Sequence, residues 1–174
     1  AHHYFGSKDR LLIETIRSLL RQLRADAGAA LSAAATPRER ISAVIRISFQ
    51  ADQFDSQVVA AWLAFYSEAQ RSEEVRRLLA LYARRLHSNL WSGLKPLCGP
   101  AEASRIADGA AAMIDGLYIR QSLKAAPLSI DASVALVEDY VTGQLQAVTA
   151  ETIAPHPTHT PQAGRGGGDR ERRS

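Results

Sequence analysis

The sequence holds one cysteine, Cys98, in 174 residues. That excludes an intramolecular disulfide and suits a reducing compartment. Its surroundings, Leu97-Cys98-Gly99-Pro100, read as a turn between helices, with no base at hand to make the thiol a nucleophile. Long apolar runs are also missing. None approaches the roughly eighteen residues of a membrane span, and no signal-peptide pattern occurs, so a cytoplasmic protein with no membrane partner is expected. No stretch alternates with period two, which argues against a sheet. Metal-ligand constellations, nucleophile triads and phosphate loops are absent, and with them the common grounds for expecting an enzyme, a metal or a cofactor. His156 and His159 have metal-like spacing but stand without further ligands in a Pro-rich stretch. No internal repeat is found. Charge of one sign is not in excess either: the formal net charge is +3.

Helical pattern fills what remains. Hydrophobic residues make up 46% and charged residues 22%, and the length suffices for one domain with its own core. Ser7 is expected to cap a helix with Leu12, Ile16, Leu19 and Leu23 on one stripe, fading into small residues from Ala27 to Ala35. Thr36-Pro37-Arg38-Glu39 predicts a second start, with a capping box and proline at the first helical position. Ile41, Val44, Ile45 and Phe49 follow on its buried face. A third helix is predicted over 56–69. Ser72, with Glu73 and Glu74 in the first turn, starts a fourth that Lys95-Pro96 and Gly99-Pro100 should stop. A fifth covers about 101–124. A sixth, capped by Asp131, repeats Val134, Val137, Val141, Leu145 and Val148. From about Thr149 apolar anchors give way to Pro, Gly and Arg, and residues 149–174 are expected to be a disordered tail. The fold class is therefore all-α.

Basic residues gather at the start: Lys8, Arg10, Arg17, Arg21 and Arg24 oppose Asp9 and Glu14 in the first 24 positions. That balance suits a phosphate-facing surface, or equally a solvated helix face. His3-Tyr4-Phe5-Gly6-Ser7-Lys8-Asp9-Arg10-Leu11-Leu12 resembles the end of the helix-turn-helix of TetR-family transcriptional repressors. The resemblance continues through Ala61-Trp62-Leu63-Ala64-Phe65, Arg84-Arg85-Leu86, Ser88-Asn89-Leu90 and Ile114-Asp115-Gly116-Leu117-Tyr118-Ile119-Arg120, followed by Pro127-Leu128. It is nearest to the BetI subgroup, the choline-responsive repressors of glycine-betaine synthesis. The tail is not covered by it.

The resemblance implies a remnant of the DNA-binding domain at 1–6, an effector-binding and dimerisation domain at 7–148, and further helices of the DNA-binding domain upstream. Ala1, His2, His3, Tyr4 and Phe5 would belong to the end of the recognition helix, and Lys8 would anchor a phosphate. The partners implied are operator DNA for the longer protein, a second copy in a homodimer, and choline. The chain by itself is expected not to bind an operator. A quaternary ammonium donates no hydrogen bond and is held by aromatic faces with a carboxylate. Trp62, Phe65 and Tyr66 share one helical face, Trp91 and Tyr118 lie on later helices, and Asp115 or Glu68 would supply the counter-charge. The same residues also read as plain core, and Asp115 as a partner of Arg84, Arg85 or Arg120. The alternative is a repressor of the same family that responds to another small cationic or aromatic ligand. For the dimer, Ala110, Met113 and Leu117 of the small-residue helix and Val134, Val137, Val141 and Leu145 of the last one are the expected interface.

Overall fold

The computed structural model describes residues 2–50, 55–123 and 128–153, and these form helices with no strand among them. The side chains of residues 2–9 lie outside the description. So do Ala1, the 51–54 and 124–127 connections and everything after 153. The side-chain roles expected of His2, His3, Tyr4, Phe5 and Lys8, and the spacing of His156 and His159, therefore fall outside the described residues.

Helix α1 spans His2–Ala33, about 48 Å at 1.5 Å per residue. It runs without a break through Gly6 and Ser7 and through Gly28, so Ser7 does not cap a new helix. Ile16 and Leu20 are its buried residues, one turn apart. Helix α2, Pro37–Ser48, starts as the sequence predicts. Thr36 Oγ1 accepts from the Glu39 amide at 3.2 Å, and Glu39 Oε2 accepts from the Thr36 amide at 3.2 Å. These reciprocal bonds satisfy amides the helix ladder leaves free. Helix α3, Ser56–Glu68, is capped by Asp55, whose carboxylate accepts from the Gln57 amide at 2.8 Å.

Helix α4, Glu73–Ser122, begins at the Ser72 cap and contains a sharp break. The first arm passes through Pro96, so Lys95-Pro96 does not stop it. The break is at Gly99, whose φ of 79° and ψ of 169° take a backbone that side-chain-bearing residues avoid. Pro100 then occupies the first helical position of the second arm, where its missing N–H costs nothing. Contacts step outward from this break as the arms fold back: Trp91 meets Pro100, His87 meets Ser104 and Tyr82 meets Asp115. Helix α5, Ile130–Ile153, is capped by Ser129 and not by Asp131: Ser129 Oγ accepts from the Ala132 amide at 3.1 Å, leaving Asp131 in the first turn. The helix continues past Val148 to Ile153, so residues 149–153 extend α5.

The core lies between α2, α3, both arms of α4 and α5, with α1 laid across α2. Close approach of α2 to α4 requires Gly93: a Cβ there would stand 2.8 Å from Ile41 Cγ1 and 3.0 Å from the Pro37 carbonyl oxygen. Of the residues expected at a dimer interface, Ala110, Leu117, Val134, Val137, Val141 and Leu145 are all buried within one chain. Met113 is partly buried against the same core. Their periodicity marks a buried face, and the chain buries that face against itself. Exposed apolar residues here are Leu136 (44% exposed) on α5, Ile119 (44%) on α4 and Leu123 (69%) just past the end of α4.

Candidate functional site

Trp62 is the centre of an aromatic cluster. It lies on α3 with Phe65 and Tyr66, three and four residues on, which a helix brings to one face. Ring centroids stand 5.7 Å away for Phe65 and 6.4 Å for Tyr66. The arms of α4 add Tyr82 at 4.7 Å and Tyr118 at 6.3 Å. Phe65 is fully buried and edge-on to Trp62, so it backs the cluster and does not form its wall. Tyr118 stacks on Phe49 at 6.0 Å, and its hydroxyl donates to the Ser48 carbonyl, tying the second arm of α4 to the end of α2.

Asp115 completes the cluster. The Tyr82 hydroxyl donates to Asp115 Oδ1 at 3.4 Å, and the nearby Tyr66 hydroxyl also acts on this carboxylate. Burial pushes the Asp115 carboxyl above its ordinary range, and the two tyrosine hydroxyls, by stabilising the anion, hold it partway down. Burial, with the Asp115 charge as the next cause, pushes both Tyr66 and Tyr82 well above the usual phenol range, so both remain hydroxyl donors at neutral pH. No ion pair joins Asp115 to Arg84, Arg85 or Arg120 among the described residues. Trp62 Nε1 is buried and has no hydrogen-bond partner among the described residues. The cluster thus holds a carboxylate that tyrosine hydroxyls stabilise but that has no ion pair among the described residues, together with aromatic faces and one unsatisfied donor.

The structure brings together Trp62, Phe65, Tyr66, Asp115 and Tyr118, and adds Tyr82 from the first arm of α4. Two expected residues stand apart. Trp91 sits at the Gly99 break, its Nε1 donating to the Pro100 carbonyl at 3.2 Å and the Lys95 ammonium 4.8 Å from its ring centroid. Glu68 lies in the last turn of α3, where its carbonyl accepts from Arg71 and Ser72; the tyrosines reach Asp115 instead. Tyr82 also lines, with Ser48, a cavity of about 320 Å³ between α1, α2 and the first arm of α4.

The pattern described as BetI-type transcriptional repressor, C-terminal, matches residues 37–146, the span from the capping box to the end of the α5 core stripe. The chain belongs to the BetI-type repressors of the TetR family. It is 74% identical over 147 residues to the HTH-type transcriptional regulator BetI of Rhizobium meliloti, covering 84% of this chain and 72% of that protein. It is 56% identical over 145 residues to the BetI of Brucella anthropi, covering 83% and 75%. The fold is similar to that of a transcriptional regulator from Rhodococcus sp. Rha1, with a TM-score of 0.70 at 20% identity over 83% of this chain and 76% of the other. The relatives named here are transcriptional regulators, and no helix among the described residues is long and apolar enough to cross a membrane.

Proposed function

We propose that this chain is the effector-binding and dimerising part of a repressor of choline-to-glycine-betaine genes, with choline as its effector at the Trp62 cluster. The observation that carries the reading is Asp115: a half-buried carboxylate without an ion pair among the described residues, held by Tyr66 and Tyr82 and ringed by Trp62 and Tyr118. A quaternary ammonium needs a fixed negative charge and aromatic faces, and each cation–π contact contributes about 0.5–2 kcal/mol. Several rings and a carboxylate together give the affinity appropriate to a sensor of an abundant metabolite.

Two copies meet, in this reading, on the outer faces of α5 and the second arm of α4, around Leu136 and Leu123. A two-fold protein matches a pseudo-palindromic operator. The DNA-binding head joins the body through α1, and choline shifts the balance between head orientations only as far as it prefers one of them. Calorimetry with choline, glycine betaine and the neutral isostere 3,3-dimethylbutanol tests the effector. Choline should bind at least about tenfold more tightly than the isostere. Equal binding of the two, or no binding of choline, overturns the reading.

A further inference from the structure

Where α1 runs beside the first arm of α4, a surface groove carries a large excess of positive charge. Arg17, Arg21 and Arg24 follow at four and three residues and so form one stripe of α1. Leu78, Leu81 and Arg85 follow at three and four on α4 and line the same groove, here about 200 Å³ in volume and without a carboxylate. A second hollow of about 540 Å³ shares Arg17, Leu78 and Leu81, so the two are continuous. It adds Arg77 and Arg84 and, at the start of α4, Glu73 and Glu74. Those two acids are already engaged, Glu74 by Arg17 at 2.6 Å and Glu73 by Arg77 at 3.1 Å. Arg21, Arg24, Arg84 and Arg85 are exposed and form no ion pair among the described residues. Between the charges, Leu78 and Leu81 give the groove a half-buried apolar floor.

We propose that this groove docks an acidic amphipathic helix of a partner protein. Aliphatic side chains of that helix lie on Leu78 and Leu81, and carboxylates flanking them meet the four free arginines. Guanidinium groups suit that contact because they present paired donors matching a carboxylate's two oxygens. Two features favour a helix over nucleic acid. The leucine floor offers apolar contact, which an amphipathic helix in a groove uses and a sugar-phosphate backbone does not. The free charge is also uneven, gathered towards Arg24 and Arg85 and cancelled at Glu73 and Glu74. A nucleic-acid backbone carries its charge at regular intervals, whereas a helix can hold its acids in one half. From Glu73 to Arg85 the α4 wall is about 18 Å long at 1.5 Å per residue, room for about three turns of a docked helix. Such a helix touches both walls and so braces α1 against α4.

The probe is a stapled helical peptide of about twelve residues, with leucines on one stripe and glutamates flanking them in one half; the staple removes the cost of ordering so short a helix. Fluorescence anisotropy reads its binding to the chain. The peptide should bind at least about tenfold more tightly than its counterpart with glutamine for glutamate, and the advantage should shrink as salt screens the exposed charges. Arg21→Glu/Arg84→Glu should abolish the advantage, and a lysine version of the peptide should bind that variant better than the parent. Leu81→Asn should weaken the glutamate and glutamine peptides alike, with its melting temperature showing that the fold is intact. Arg38→Glu/Arg120→Glu makes the same change in net charge away from the groove and should leave binding within about twofold of the parent. Absent binding of the glutamate peptide, an equal loss in the Arg38/Arg120 variant, or tighter binding of a short duplex DNA through Arg21 and Arg84 overturns the proposal.

Discussion

Replacing Asp115 by asparagine should stabilise the unliganded protein at neutral pH and weaken its hold on choline. The two effects have one origin. Burial raises the carboxyl's affinity for its proton in the folded state, so the folded protein binds that proton more tightly than the unfolded chain does. A carboxylate with a raised folded pKa makes stability fall as pH climbs from the ordinary aspartate value through the raised one, and the full cost is present above it. Each unit of elevation corresponds to about 1.4 kcal/mol. Asparagine keeps the shape, still accepts from a tyrosine hydroxyl and carries no charge to desolvate. The variant should therefore melt above the parent at pH 7, and the gap should close below the ordinary aspartate range.

Ligand affinity moves the other way. A carboxylate and an ammonium at 4 Å attract by about 4 kcal/mol at an effective dielectric of 20 and about 1 kcal/mol in water. Asp115 is partly exposed, so an intermediate loss of about 2 kcal/mol, near thirtyfold in Kd, is expected. The parent's affinity for choline should also fall as acid protonates Asp115, while the variant's should be flat with pH. Thermal melts across pH and calorimetry at pH 7 measure both halves. A variant that melts lower at pH 7, or one that binds choline within about twofold of the parent, refutes the reasoning.

Trp62→Phe removes the buried indole N–H that lacks a partner. If that donor meets the choline hydroxyl, the parent prefers choline to tetramethylammonium and the variant does not; an unchanged preference in calorimetry rejects the contact. Leu136→Lys alters an exposed outer position on α5 and should yield a folded monomer in sedimentation velocity, whereas Val137→Ala, at a fully buried position, should lower stability by about 2 kcal/mol and leave the association state intact. A dimer unaffected by Leu136→Lys would exclude that face. Gly93→Ala should destabilise by about 1 kcal/mol net in a denaturant titration, because crowding of Ile41 and the Pro37 carbonyl outweighs the gain in helix propensity; a more stable variant would show that α2 yields readily.

Local chemistry was readable where it is self-contained. The Thr36–Glu39 capping box needs only four residues, and it formed as predicted. Signals that compete along the chain were not resolved by sequence. Pro96 looks like a stop, but one missing N–H is tolerated near a helix end, whereas the φ of Gly99 turns the chain outright. Ser129 and Asp131 are both good caps, and only the backbone shows which one the first free amides reach. The aromatic face of α3 and the odd acid in an apolar run singled out Trp62 and Asp115, and the fold brings both into one cluster. Tyr82 escaped because its meeting with Asp115 spans 33 residues and depends on the fold-back at Gly99. Periodicity identified the buried stripe of α5 but could not say whether the same chain or a second copy covers it.

The unbroken α1 bears most directly on how a bound ligand is felt elsewhere. Ile16, fully buried, anchors the helix near its middle. From there the cavity wall at Leu31 lies about 22 Å away in one direction and His2 about 21 Å in the other, at 1.5 Å per residue. A stiff helix pivoting at Ile16 would therefore pass a displacement at the cavity to the head end at nearly equal size and opposite sense. A hinge at residues 6–7 would absorb it, and the backbone there is helical. Ser7→Gly places two glycines in succession and softens that point at a cost of about 0.5–1 kcal/mol. In the protein with its DNA-binding head, this variant should keep its affinity for effector and for operator but lose much of the effector's influence on operator binding. Gel-shift titrations with and without saturating effector read that influence directly. If it persists in full, the signal does not travel along α1 as a rigid lever.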